Sequence, residues 1–339
     1  MHIKPATIIH QGLTPVLNLV SILFKCFSLL TLSLRSLGKK AYSEAFIISV
    51  DNLSFGGTGK TTLVNEICQA LNRKKLKFAI VSRGYRSGYE KTGARVTPEH
   101  RVSEVGDEAI LLRNNFPHQH IYIGKNRHES IKKALDNDRN IIILDDGFQS
   151  TGIRKNLKIM LINPSHPYYY LRNFKWLSRR EDIVLHLAGE SEFQNPPEEE
   201  PRGPLKRKKN HPLRGYYAFS FLKFHQASGR ETDIGNATLL GFSALGDNQR
   251  FRDDLSRFNL KVFRPFPDHH GYNQGDLVRL NTLRKKNRID YLVCTEKDFI
   301  KLSELNLIGI PLIYAKNSIK FSFNLNELIW EHVKKHGFI

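Results

Sequence analysis

The sequence predicts an α/β protein built on a mainly parallel sheet, and three observations carry that prediction. First, the apolar runs Phe46–Val50, Phe78–Val81, His120–Ile123 and Ile141–Leu144 lack the strict polar alternation of a strand with one wet face. Second, stretches with helical pattern lie between them: Lys60 to about Arg73, Glu108–Asn115 and Lys125–Leu135. Third, a glycine-rich turn joins the first run to the first helix, at the edge where α/β sheets bind ligands.

A second α/β set follows, with strands at Lys158–Ile162, Ile183–Leu187, Tyr216–Phe221, Thr238–Phe242 and Tyr291–Cys294. Between them Gln194–Leu213 carries PPEEEP and RGPLKRKKNHPLR, a proline- and charge-rich composition that reads as a solvated loop. Asn324–Lys335 has the pattern of a short amphipathic helix. The expected division is an N-terminal segment 1–40, a first lobe 41–152 on which helix 324–339 packs back, and a second lobe 153–323.

The 339 residues suffice for two ordinary α/β domains or one large one. Lys and Arg number 52 against 33 Asp and Glu, a net charge of +19 that points to a polyanionic partner, nucleic acid or an anionic membrane surface. Cys26, Cys68 and Cys294 form no CxxC pair, which excludes a disulfide framework or a thiolate zinc site; Cys68 and Cys294 read as core residues. Val16–Leu34 is apolar but broken by Lys25 and diluted by Asn18 and serines, with Arg35, Lys39 and Lys40 behind it. That pattern fits a helix lying in a membrane interface better than a spanning helix or a signal peptide.

The segment Ser54-Phe55-Gly56-Gly57-Thr58-Gly59-Lys60-Thr61 lies between an apolar strand and a helix, the setting a phosphate-binding loop requires. Its glycines let backbone N–H groups turn toward phosphates, Lys60 supplies charge to the β- and γ-phosphates, and the Thr61 hydroxyl is a magnesium ligand. Ser54 stands at the usual first glycine. Asp145 and Asp146 end the strand Ile141–Leu144 and supply the carboxylates that hold magnesium beside such a loop. ATP and Mg2+ are therefore the expected ligands. Three more polar clusters stand out: Ser82-Arg83-Gly84-Tyr85 after the second strand, Gly106-Asp107-Glu108 opening a helix, and Phe266-Pro267-Asp268-His269-His270 in a late loop.

Taken in order, VDNLSFGGTGKTTL, SRGY, VGDEAILL, LDDGFQ, FPDHH and CTEKD resemble the tetraacyldisaccharide 4'-kinase family, the lipid A 4'-kinases. The likeness runs from about residue 10 to residue 302 and is densest up to residue 150. It implies two α/β/α lobes of the phosphate-loop NTPase type joined by a hinge, with an apolar N-terminal helix. The implied reaction is transfer of the ATP γ-phosphate to the 4'-hydroxyl of a tetraacyl glucosamine disaccharide 1-phosphate, giving lipid IVA, at the cytoplasmic face of a Gram-negative inner membrane. Carried over residue by residue, the resemblance makes Asp107 the base, assisted by His269, with Lys60 also catalytic. Arg127 falls near the phosphates, and Arg83 and Tyr85 near the substrate. This chain departs from the pattern at Asp51, where Gly is usual, at Ser150, where His is usual, and in lacking a Gly-Pro-Leu-Arg-Glu segment, in whose region Tyr168–Arg180 stands. Partitioning-type regulatory ATPases have a similar loop but carry a second lysine at the position of Phe55, so a nucleic-acid partner is not expected.

Overall fold

The computed structural model describes residues 41–53, 58–85, 87–147, 150, 152–164, 182–188, 212–219 and 222–339, with 15, 18–23, 25–26 and 193. Loop positions Ser54, Phe55, Gly56 and Gly57, most of Val16–Leu34, the basic residues Arg35, Lys39 and Lys40, the region Tyr168–Arg180 and most of the loop expected at Gln194–Leu213 lie outside the described residues.

The first sheet is assembled from β1 (Phe46–Asn52), β2 (Phe78–Ser82), β3 (Ala94–Arg95), β4 (His120–Ile123), β5 (Ile141–Asp145), β6 (Leu157–Ile162), β7 (Ile183–Leu187), β8 (Leu213–Phe219) and β15 (Ile319–Phe321), in the order β15-β8-β7-β6-β1-β5-β2-β4-β3. All pairings are parallel except those of the edge strands β3 and β15. Helices α1 (Lys60–Arg73), α2 (Val102–Val105), α3 (Asp107–Asn115) and α4 (Arg127–Leu135) connect its strands. β1 is buried along its whole length, as its unbroken apolar run requires in a sheet covered on both faces. It lies between β5 and β6, so the strand order reverses there and a crevice opens at the carboxyl ends of β1 and β5.

The second sheet holds β9 (Lys223–Gln226), β10 (Glu231–Thr232), β11 (Leu239–Ser243), β12 (Leu260–Pro265), β13 (Tyr291–Thr295) and β14 (Leu312–Lys316), ordered β10-β9-β14-β13-β11-β12. Around it lie α5 (Asn248–Leu255), α6 (Gln274–Lys286) and α7 (Glu296–Leu302). The chain then returns: β15 pairs with β8, and Leu325, Ile329 and Val333 of α8 (Leu325–Lys335) enter the first lobe's core.

This corrects the expected boundary at residue 152. β6 pairs in parallel with β1 through Ile48↔Leu157, and Leu157, Ile159 and Leu161 pack in the same core as Phe46 and Ile48. The first lobe therefore continues to Phe219, and the second spans β9 to β14. The lobes meet where α7 lies against α3: Ile300 joins the first lobe's core, Glu304 accepts from Val102 N at 2.9 Å, and Lys316 donates to Asn115 at 3.4 Å.

Candidate active site

β1 delivers its chain end to the crevice, and the base of the phosphate loop is pinned from two sides. Asn52 Nδ2 donates to Thr58 Oγ1 at 3.1 Å, and Tyr217 OH of β8 donates to Thr58 O at 2.8 Å. Gly59, the N-cap of α1, has φ +78°, a left-handed conformation that favours glycine. The Phe219 ring lies over it, and an added Cβ would sit 2.5 Å from Phe219 Cζ. α1 begins at Lys60 with no acidic residue in its first turn. The start of such a helix, with its N–H groups directed outward, suits an anion.

Lys60 Nζ lies 3.1 Å from Asp145 Oδ1 and 3.5 Å from Asp146 Oδ1. Burial pushes the Asp145 carboxyl upward, and the Lys60 ammonium opposes this. Asp146 turns away from the strand with φ +56°, and Gly147 packs so that a Cβ would lie 2.5 Å from Ser49 Oγ. Thr61 Oγ1 donates to Glu108 Oε1 at 3.3 Å. Among the described residues no three His, Cys, Asp or Glu side chains form a closed metal cage. An open set of hard oxygens, Thr61, Asp145 and Asp146, remains, and it fits Mg2+, which keeps waters and shares its ligands with phosphates.

Arg127 is buried and donates to Gly124 O at 2.7 Å and Asp145 O at 3.3 Å, so it ties the end of β5 to the turn after β4. Arg83 donates through Nε to Glu90 Oε1 at 2.8 Å, and its guanidinium lies 5.7 Å from the Tyr85 ring, which is exposed. Both stand just past the carboxyl end of β2, and Glu90 is a partner the sequence had not indicated.

Asp107 and His269, 162 positions apart in the chain, are brought together by the two lobes. Gly106, with φ +91°, turns the chain so that α3 opens on Asp107, which is buried. His269 follows β12 with φ +59°, its N–H donating to Ala244 O at 3.3 Å. His269 Nδ1 stands 3.6 Å from Asp107 Oδ2, so it must move in by about half an ångström to make a hydrogen bond, a tightening often seen when substrate binds. Burial alone would raise the Asp107 carboxyl, but His269, Lys297 and Lys301 outweigh it and hold the group well below the usual carboxylate range.

Sequence reading missed Lys297 and Lys301 as members of this site, and marked Glu108 only as part of the Gly106-Asp107-Glu108 cluster. Lys297 Nζ lies 3.6 Å from Asp107 Oδ1 and 3.2 Å from Glu108 Oε1, and Lys301 Nζ lies 3.4 Å from Asp107 Oδ2. The CTEKD motif was the available signal, but nothing local shows where its lysine points. His270, beside His269, turns away: its Nε2 is 3.0 Å from Asp276 Oδ2, and its ring packs on Phe266 at 4.8 Å between centroids. Cys68 and Cys294 are fully buried, as their apolar surroundings predict.

Tetraacyldisaccharide 4'-kinases from Desulfatibacillum aliphaticivorans (26% identical, covering 92% of this chain and 90% of the relative) and Chlamydia trachomatis serovar D (30%, covering 84% and 79%) are similar to this chain over most of its length. A crystal structure of LpxK from Aquifex aeolicus in complex with ATP, 24% identical, superposes over 97% of this chain and 99% of that one with a TM-score of 0.72, and so shares its fold. The sequence profile of the tetraacyldisaccharide-1-P 4'-kinases matches residues 13–334, nearly the whole chain, and the protein belongs to that family.

Proposed function

We infer that this chain is an ATP-dependent kinase that phosphorylates the 4'-hydroxyl of a tetraacyldisaccharide 1-phosphate in lipid A biosynthesis. One observation carries the reading. Asp107 directly precedes Glu108, and Glu108 Oε1 is 3.3 Å from the Thr61 hydroxyl, so the proton-accepting pair adjoins the phosphate loop. A hydroxyl seated between them meets both the phosphoryl group and a proton acceptor.

In the reaction the sugar oxygen bonds to the γ-phosphorus, the bond from γ-phosphorus to the bridging oxygen breaks, and ADP leaves with that electron pair. Lys60 shifts from Asp145 and Asp146 to the phosphates, where it meets the charge that develops. Thr61, Asp145 and Asp146 would hold Mg2+, which would supply charge neutralisation at the phosphates. The hydroxyl proton goes to the Asp107–His269 pair. Asp107, the base, is held ionised by its cationic neighbours, and His269 orients it and shares the incoming proton. Arg83 and Tyr85, at the rim, contact the disaccharide.

We place the reaction at the cytoplasmic face of the inner membrane. The net charge of +19 favours an anionic surface. Leu19, Val20, Ile22 and Leu23, in helical backbone, expose apolar side chains. Flotation with anionic vesicles tests this: the full-length chain should float at low salt and a chain lacking residues 1–35 should not. A full-length chain that stays at the bottom would refute it.

The chemical reading is tested with Asp107→Ala, His269→Ala and the double variant. Each single change should lower kcat by about 10²–10⁴-fold, the usual worth of general base catalysis, with ATP affinity nearly unchanged. The double variant should lose little more than the worse single, because residues acting as a unit are not additive. Fully multiplicative losses would show that the two act separately.

A further inference from the structure

Helix α7 of the second lobe touches both Asp107 and the loop that carries His269. Thr295 caps it, its hydroxyl and N–H network closing on Asp298, and the chain then presents Lys297 and Lys301 one turn apart on a single face. Both ammonium groups meet the Asp107 carboxylate, Lys297 at Oδ1 and Lys301 at Oδ2. Lys301 is the more enclosed of the two, with 8% of its side chain exposed against 22% for Lys297.

The same helix also holds the loop that carries His269. Lys301 Nζ donates to His270 O at 3.4 Å. Asp298, fully buried, accepts from Ala244 N at 3.2 Å, and the carbonyl of Ala244 is the group that receives the N–H of His269. Four side-chain contacts from seven consecutive residues thus fix the acid and the imidazole relative to each other. Because α7 packs against α3 and Ile300 enters the first lobe's core, this bracket spans the lobe boundary.

We propose that Lys301 is a positioning residue, supported by Lys297, which sets the Asp107–His269 geometry by holding the Asp107 carboxylate and the His269 loop from one ammonium group. A misplacement of the pair by about 1 Å is enough to cost about 10²-fold in rate, so the bracket has a direct catalytic consequence without touching substrate. The proposal rests on the Asp107–His269 reading above, and its test separates the two.

The experiment compares Lys301→Met, which keeps the stem and removes the charge, with His269→Ala and the double variant in the full-length protein. ATP binding is measured without acceptor, and kcat with tetraacyldisaccharide 1-phosphate. Lys301→Met should lower kcat by about 10–100-fold, the scale of a misplaced catalytic pair, while ATP affinity stays within about twofold. In the His269→Ala background the same change should cost less than about threefold, because there is no pair left to position. If Lys301→Met folds poorly, Lys297→Gln serves, with the same pattern at smaller amplitude. Full activity in both lysine variants, or the same fold-loss with and without His269, would overturn the proposal. Full activity in His269→Ala itself would instead remove the reading on which it rests.

Discussion

Gly59→Ala probes the part of the site on which nucleotide binding depends. Gly59 has φ +78°, and a side chain there carries a left-handed penalty of about 1–2 kcal/mol. The new methyl would also sit 2.5 Å from Phe219 Cζ and 2.8 Å from Cε1. The ring cannot swing away freely, because the Arg250 guanidinium stacks 3.3 Å from its centroid, and overpacking of this kind costs about 1–3 kcal/mol. The sum is about 2–5 kcal/mol, measured as a shift of the urea unfolding midpoint at constant slope. Phe219→Ala relieves only the second contribution, so the double variant should be more stable than the sum of its singles predicts, by about 1–3 kcal/mol. A Gly59→Ala protein within about 0.5 kcal/mol of the parent, the range of an ordinary surface change, would show that the loop does not turn at Gly59 as described.

Three further outcomes are expected. Tyr217→Phe leaves the Thr58 carbonyl without its buried donor and should cost about 1–3 kcal/mol by denaturant unfolding, with weaker ATP binding. His270→Ala should lower the thermal midpoint through the lost Asp276 contact yet change kcat by less than about threefold, since a surface-side anchor is not part of the chemistry. His120, kept neutral by burial and by Arg139 and Arg95, should titrate near pH 4 by NMR, below its ordinary 6.5. The unfolded chain then binds more protons between these values, so stability falls as pH drops from 6.5 to about 4, and His120→Gln should flatten that slope.

Much of the nucleotide half of the site was legible in sequence because its signals are local. The apolar run of β1, the glycine turn and Lys60-Thr61 follow one another directly, and Asp145-Asp146 closes a strand with no polar residue in its interior. The lobe boundary was not legible: β6 and β7 carry the same buried apolar pattern whichever sheet they join, and only pairing with β1 assigns them. β3, β10 and β15 are two or three residues long, too short for any periodicity, and β12 is largely exposed, so no apolar run marks it. The meeting of Asp107 with His269 came from family likeness alone, since no spacing rule links positions so far apart. The lysines of α7 escaped for a related reason: a charged residue on a helix face reads as solvated until the opposing α3 is in place.

Phosphoryl transfer to a lipid hydroxyl is measured directly with labelled nucleotide. Purified protein is incubated with γ-labelled ATP, Mg2+ and tetraacyldisaccharide 1-phosphate in detergent, beside the Lys60→Ala variant. The label should appear on the lipid at the 4'-position, one phosphate per disaccharide, and Lys60→Ala should lose at least about 10²-fold of that rate, as removal of a cation on the transferring group does. Label released only as inorganic phosphate, or undiminished transfer by Lys60→Ala, would contradict the account.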